Sequence, residues 1–193
     1  MSSIEAKRLT YEAWLALPES KQRYEIVDGM LITPPAPTPD HQWIMMELVV
    51  RLREFVNDRD LGVVLAAPVD LVIQREPLHT RQPDILYLDA ERTGIRGRAE
   101  LRTLQFLEIP PDLVAEVLSP SNTRSDIEAK LEDYRQIGVK ECWLVSPEAE
   151  TIEVLRLSAA EAATEAIFGA NDTLSSEVVV DFTMNVGELF ESR

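Results

Sequence analysis

The chain has 193 residues, 45% of them hydrophobic, with a formal net charge of −15 and one cysteine. That length fits a single domain, 1–193, and that apolar fraction suffices for a real core. A lone cysteine excludes an internal disulfide, and the acidic balance disfavours nonspecific attraction to phosphate backbones. No run approaches the ~20 apolar residues of a membrane span. The opening "MSSIEAKRLT" lacks a signal-peptide core, so no membrane partner and a cytoplasmic location are expected. Cys142, between Glu141 and Trp143, reads as a small buried hydrophobe.

"LTYEAWLALPES" predicts a short helix that Thr10 can cap and Pro18 ends. "RYEIVDGMLITPP" predicts a hairpin around Asp28-Gly29. The proline-rich 33–40 stretch reads as an exposed connection. "DHQWIMMELVVRLREFVND" predicts a helix capped by Asp40, with Ile44, Leu48, Leu52 and Phe55 at helical spacing and Val49 and Val56 widening the stripe; core is the plain reading. Strand-like runs follow at 62–73, 84–89 and 112–119. "TRSDIEAKLEDYRQIG" predicts a helix with Ser125 and Asp126 as capping residues, Ile127, Leu131 and Tyr134 on its apolar face, and Gly138 as its stop. Residues 141–157 read as two strands around a turn. "AIFGANDTLSS" and "EVVVDFTM" continue the pattern, and "NVGELFE" is a short helix. Strands and helices in this alternation predict a mixed α/β (α+β) domain around one central sheet.

Two acids stand where apolar strands are expected. Asp84 borders "ILYL", and Glu116 interrupts "LVAEVL". Ionised carboxylates are costly to bury without compensation. A hard divalent cation such as Mg²⁺, which takes one or two carboxylates plus waters and phosphate oxygens, would compensate both. A plain turn would also account for Asp84. Glu25 is a third acid. Lys130 lies near the inward face of the helix after the Glu116 strand. Its ammonium can reach the strand end, and it can equally pair with Asp126 four residues back. Read from residues alone, the chemistry is metal-assisted phosphodiester hydrolysis with Asp84 and Glu116 as ligands. His41 can contact substrate or mark a helix start. His79 reads as surface, and Ser119, Ser121 and Asn122 as a turn. Arg92, Arg96, Arg98 and Arg102 in "ERTGIRGRAELR" form a possible basic patch, for which a solvated loop is the plain reading. No zinc-spaced His/Cys cluster, phosphate-cradling glycine loop or Gly-x-Ser-x-Gly elbow occurs.

"YEIVDGMLI", His41 with a helix behind it, "QPDILYL", "PPDLVAEVLSPSN", Asp126, Lys130, Tyr134 and "GVKECWLVSP" occur in an order that resembles the Uma2 family of restriction-endonuclease-like proteins, over roughly residues 9–157. That family resembles the PD-(D/E)XK nucleases. The resemblance implies a restriction-endonuclease-like central mixed sheet flanked by helices, with Mg²⁺ or Mn²⁺ at the edge of two strands. It implies Asp84, Glu116 and the Val117 carbonyl as metal ligands, Glu25 as an additional acid and Lys130 as the catalytic lysine. The wider superfamily places its lysine two residues after the second acid, where this chain has Leu118, so Lys130 is its donor. The expected function is a Mg²⁺-dependent endonuclease acting on DNA, with His41, Arg96 and Arg98 as substrate contacts and a homodimer as the assembly. A nuclease-fold module that binds a nucleic acid or a partner without cutting is the rival. A third reading is an oligomeric structural protein whose exposed "EVVVDF" strand pairs across a dimer.

Overall fold

The computed structural model describes residues 8–18 and 23–191. Residues 1–7 of the opening, read as lacking a signal-peptide core, and positions 19 and 20, after the expected helix end at Pro18, lie outside them. Helix α1 (Tyr11–Leu15) starts where Thr10 accepts a hydrogen bond from the Ala13 N–H at 3.2 Å. Strands β1 (Glu25–Val27) and β2 (Met30–Ile32) form the expected hairpin. Asp28 and Gly29 both take left-handed φ, 51° and 77°, matching the twist of a two-residue hairpin loop. Helix α2 (Pro39–Asp58) is capped by Thr38, whose hydroxyl accepts from the His41 N–H at 3.2 Å. Asp40 lies inside the first turn and is not the cap. Pro39 explains the shift, because its fixed φ suits a first helical position and moves the boundary upstream.

The apolar run 62–73 is not one strand. Pro68 cannot donate to a ladder, and the run divides into β3 (Gly62–Ala66) and β4 (Leu71–Arg75), which belong to different sheets. Strand β5 (Leu78–Arg81) was not expected, since "LHTR" has no strand-like apolar pattern. Then come β6 (Ile85–Asp89), the short helices α3 (Ala90–Thr93) and α4 (Arg98–Leu101), and β7 (Leu113–Val117). Helix α5 (Arg124–Ile137) is capped by Thr123 with Asp126 closing the capping box, so Ser125 is not a cap. It ends at Gly138, at φ 88°. Strands β8 (Glu141–Ser146), β9 (Thr151–Leu157), β10 (Ala162–Gly169), β11 (Thr173–Ser175) and β12 (Thr183–Asn185) follow, with a final 3₁₀ turn at Val186–Leu189.

The central sheet has six strands in the order β10-β9-β8-β7-β6-β3. Only β7 and β8 pair in parallel; its other pairings are antiparallel. A parallel pair needs a crossover, and α5 is that crossover. One sheet face carries Ile85, Tyr87, Leu113, Ala115 and Val117 against Ile44, Met45, Leu48, Val49 and Leu52 of α2. The other carries Leu86, Leu88, Val114, Cys142 and Leu144 against Tyr134, Ile127 and Leu131 of α5. The alternation of faces along each strand, period two, produces this three-layer packing. Gly62 is needed where β3 meets β6, since a Cβ there would lie 2.0 Å from the Leu88 carbonyl oxygen. A second sheet, β2-β1-β5-β4, stands beside the first, and a small β11-β12 ladder closes the C-terminal part.

The segment 177–181 corrects a prediction. It forms bends and a turn, not a strand, and Val179 and Phe182 are buried in the α2-side core. Bend and turn backbone offers no ladder to a second chain, although Val180 stays exposed. Among the described residues, no helix is long and apolar enough to cross a membrane.

Candidate active site

Strands β6 and β7 bring the two strand-bound acids together. Their last pairing is Ile85 with Ala115. One step further, the antiparallel register sets Asp84 opposite Glu116, on one face of the sheet. Asp84 lies in the bend before β6, and its Oδ2 accepts the Val117 N–H at 2.9 Å. Its own carbonyl accepts the Ala67 N–H at 2.9 Å, which ties the β3 end to the same point. Asp84 is 3% and Glu116 5% exposed.

The two faces contribute different groups. From α5, Lys130 Nζ donates to Glu116 Oε2 at 2.7 Å, and the Tyr134 hydroxyl donates to Glu116 Oε1. The alternative partner of Lys130, Asp126, is instead committed to the helix cap through Thr123. Tyr134 thus both fills the core and touches the acid. From α2, His41 Nε2 lies 3.4 Å from Asp84 Oδ2, without hydrogen-bond alignment. From the segment just before β1, Arg23 Nη2 lies 3.4 Å from Asp84 Oδ1 and donates to the Gln82 carbonyl at 2.6 Å. A cavity of about 10 Å³, lined by Glu116, Leu118, Asn122, Lys130, Tyr134 and Cys142 among others, adjoins Glu116; that is the space of about one water-sized group.

Burial alone would raise the Asp84 pKa, but His41, the Val117 N–H and Arg23 outweigh it and hold the carboxyl below its ordinary range. For Glu116, burial wins. It pushes the carboxyl up, with the charge of Asp84 adding, against Lys130 and Tyr134. Burial would lower Lys130, yet Glu116, Glu25 and Asp84 together hold it above the ordinary lysine value. The ammonium therefore senses all three acids singled out in the sequence.

Glu25 joins differently. Its Oε2 accepts from Arg81 Nη1 at 3.0 Å and its Oε1 from the Gln82 N–H at 3.1 Å. Arg81 Nε also donates to Asp133 Oδ2 at 2.6 Å. This buried Glu25–Arg81–Asp133 chain joins β1, β5 and α5 behind the Asp84 bend. His79 belongs to it rather than to the surface, with Nε2 3.0 Å from Asp133 Oδ2. Arg23, Arg81, Asp133 and the Tyr134 hydroxyl escaped the sequence reading. The available signals were Arg81 three positions before Asp84, and Asp133 adjacent to the inward Tyr134.

Arg96 and Arg98 are not brought to this place. Arg96 pairs with Asp60 at 2.7 Å, just past the C-terminal end of α2, and Arg98 opens α4 in the same region. His41 is at the other end of that 20-residue helix, about 30 Å away at 1.5 Å per residue. Ser119, Ser121 and Asn122 form the expected turn, with Asn122 Oδ1 accepting the Ser119 N–H at 2.8 Å.

The fold and the sequence each have a counterpart among known proteins. Among solved structures, a protein from Anabaena variabilis described as "a putative nuclease belonging to DUF820" superposes with a TM-score of 0.76 at 21% identity, covering 94% of this chain and 97% of that one. The likeness shows a shared fold. None of the curated proteins matches. The sequence model of Uma2, described as "Putative restriction endonuclease", matches residues 10–187. With that match spanning nearly its whole length, the chain belongs to the Uma2 family.

Proposed function

We propose that this chain is a divalent-metal-dependent endonuclease that hydrolyses nucleic-acid phosphodiester bonds, with DNA as substrate, built as one domain over 1–193 and working as a homodimer. The observation that carries the reading is the meeting of Asp84, Glu116 and Lys130 at one end of the β6–β7 pair. The description of the family and that of the structural neighbour support the reaction class.

The residues fit a hard cation by their donor chemistry. Asp84 and Glu116 offer carboxylate oxygens, and the Val117 carbonyl is a third oxygen donor next to the N–H that Asp84 holds. A carboxylate has about four acceptor positions, so Glu116 can keep Lys130 and Tyr134 and still ligate. Among the described residues, no three His, Cys, Asp or Glu side chains group into a metal cage. Mg²⁺ does not require one, since it is held by one or two carboxylates with waters and substrate phosphate. When bound, Mg²⁺ or Mn²⁺ supplies Lewis acidity toward a phosphoryl oxygen and toward a water.

The protein's own groups do the rest. The Val117 N–H fixes Asp84, and Tyr134 fixes Glu116. Lys130, held charged by three acids, orients a water and offsets negative charge that develops on the phosphoryl oxygens. Glu25 acts at one remove: through its bonds to Arg81 and to the Gln82 N–H it holds the residues just before the Asp84 bend in place.

A second reading, a nuclease-fold module that binds without cutting, is favoured by one observation: Lys130 and Tyr134 already engage both oxygens of Glu116. Calorimetric titration of Mn²⁺ into the wild type and Asp84→Ala, each then incubated with labelled DNA and RNA, separates the two. Metal binding and cleavage that both vanish in the variant support the nuclease. Metal binding with no cleavage of either nucleic acid supports the module.

A further inference from the structure

We infer that Arg23 and His41 form a phosphate-binding pair beside Asp84, taking the non-bridging oxygens of a phosphodiester. The identity of this ligand as part of a nucleic acid rests on the nuclease reading.

Arg23 immediately precedes the β1 region and His41 lies in the first turn of α2, so two separate elements converge on one carboxylate. Each stops short of a good bond to it. Both contacts to Asp84 are 3.4 Å long. Arg23 Nε and both ring nitrogens of His41 are buried and have no hydrogen-bond partner. His41 is only 8% exposed. Buried polar atoms are almost always paired, and leaving one orphaned is costly. Orphans on two side chains that converge on one carboxylate, at the place where a substrate is expected, mark bonds to be made with a ligand.

The donor types identify that ligand. A guanidinium cannot ligate a metal, so a metal alone cannot satisfy both residues. Its planar fork matches phosphate oxygens, and a ring N–H donates to the same group. The N-terminal dipole of the 20-residue α2 favours an anion at this position. The pair also supplies the cationic contact that Arg96 and Arg98, at the far end of α2, do not.

The first test is fluorescence anisotropy of a short fluorescein-labelled DNA duplex in EDTA, across a salt series. Arg23→Gln is expected to weaken binding about tenfold or more and to lower the salt slope by about one, as for loss of one phosphate contact. Arg23→Lys, which keeps the charge and loses the fork, falls between. His41→Asn weakens binding several-fold with the slope retained. Arg59→Gln, beyond the C-terminal end of α2, behaves as wild type. Unchanged affinity and slope in a folded Arg23→Gln overturn the inference.

The second test does not depend on that variant folding. Dimethyl phosphate is titrated into ¹⁵N-labelled wild type, and the Arg23 Nε–H resonance is followed. A saturable shift supports the pair, and an unmoved resonance overturns it. If the resonance moves but the wild type cleaves neither DNA nor RNA, the phosphate site stands and the nuclease reading falls. If cleavage depends on Asp84 while Arg23→Gln binds as wild type, the nuclease reading stands and this one falls.

Discussion

The β6–β7 pair has acids at both ends, and the two ends are built differently. At one end, Asp112 is 1% exposed and fully engaged. It accepts the Asp89 N–H at 2.9 Å, Arg92 Nε at 2.7 Å, Arg92 Nη2 at 2.8 Å and Lys140 Nζ at 2.9 Å. At the other end, Asp84 has one good bond, to the Val117 N–H, and two long contacts to side chains that keep unpartnered nitrogens. Burial of charge is thus common to both ends and does not by itself mark a site. Completeness separates them. A carboxylate with all its acceptor capacity satisfied by the protein holds the fold, and one left incompletely satisfied is available to a ligand.

Four substitutions and conditions sharpen or break that contrast. Asp84→Ala is expected to lower metal-dependent cleavage about a thousandfold or more, since Lewis-acid stabilisation is worth several kcal/mol and 1.36 kcal/mol is tenfold. Wild-type rates in a nuclease-free preparation would remove Asp84 from the chemistry. Asp112→Ala has the opposite profile. It leaves the Asp89 N–H without its acceptor and is expected to cost about 1–3 kcal/mol of stability in urea unfolding, while the partly exposed Arg92 and Lys140 turn to water. Cleavage per folded molecule stays the same, and a loss confined to activity would erase the distinction drawn here. Lys130→Gln is expected to reduce kcat by about a hundredfold with little change in KM, the pattern of a group that acts on developing charge. A change in KM alone would make it a binding residue.

Acid stability gives the smallest effect. Burial would raise Asp112, but Arg92, the Asp89 N–H and Lys140 outweigh it and hold the carboxyl below its ordinary 3.8. A carboxyl with a lowered folded pKa contributes stability above its unfolded pKa and loses it as pH falls through the folded one. The urea midpoint is therefore expected to drop below about pH 4, and Asp112→Asn should flatten that drop. A parallel acid limb in wild type and variant would show that Asp112 does not carry it.

The contrast also explains what could be read from the sequence. Helices α2 and α5 were legible because periodicity is a local signal. Asp84 and Glu116 were legible because each interrupts or borders an apolar run, and the family resemblance joined them to Lys130. Arg23, Arg81 and Asp133 were not. Their partners lie 52 to 61 positions away, and no local pattern encodes a contact made across the fold. The 62–73 run and the segment 177–181 failed for a related reason. Both are apolar enough for one continuous strand, but Pro68 divides the first into two strands of different sheets, and the second turns so that Val179 and Phe182 enter the core.

The single parallel pair in the central sheet has a consequence for how the protein is made. Because β8 returns beside β7 in the same direction, the chain must pass through α5 before the sheet can close, and α5 carries Lys130 and Tyr134. Arg23, His41 and Asp84 all leave the ribosome earlier. Domains fold as units during synthesis, so no shorter nascent chain can hold the complete constellation. In the proposed nuclease, the order of translation would keep the chemistry switched off until the fold that confines it is nearly finished.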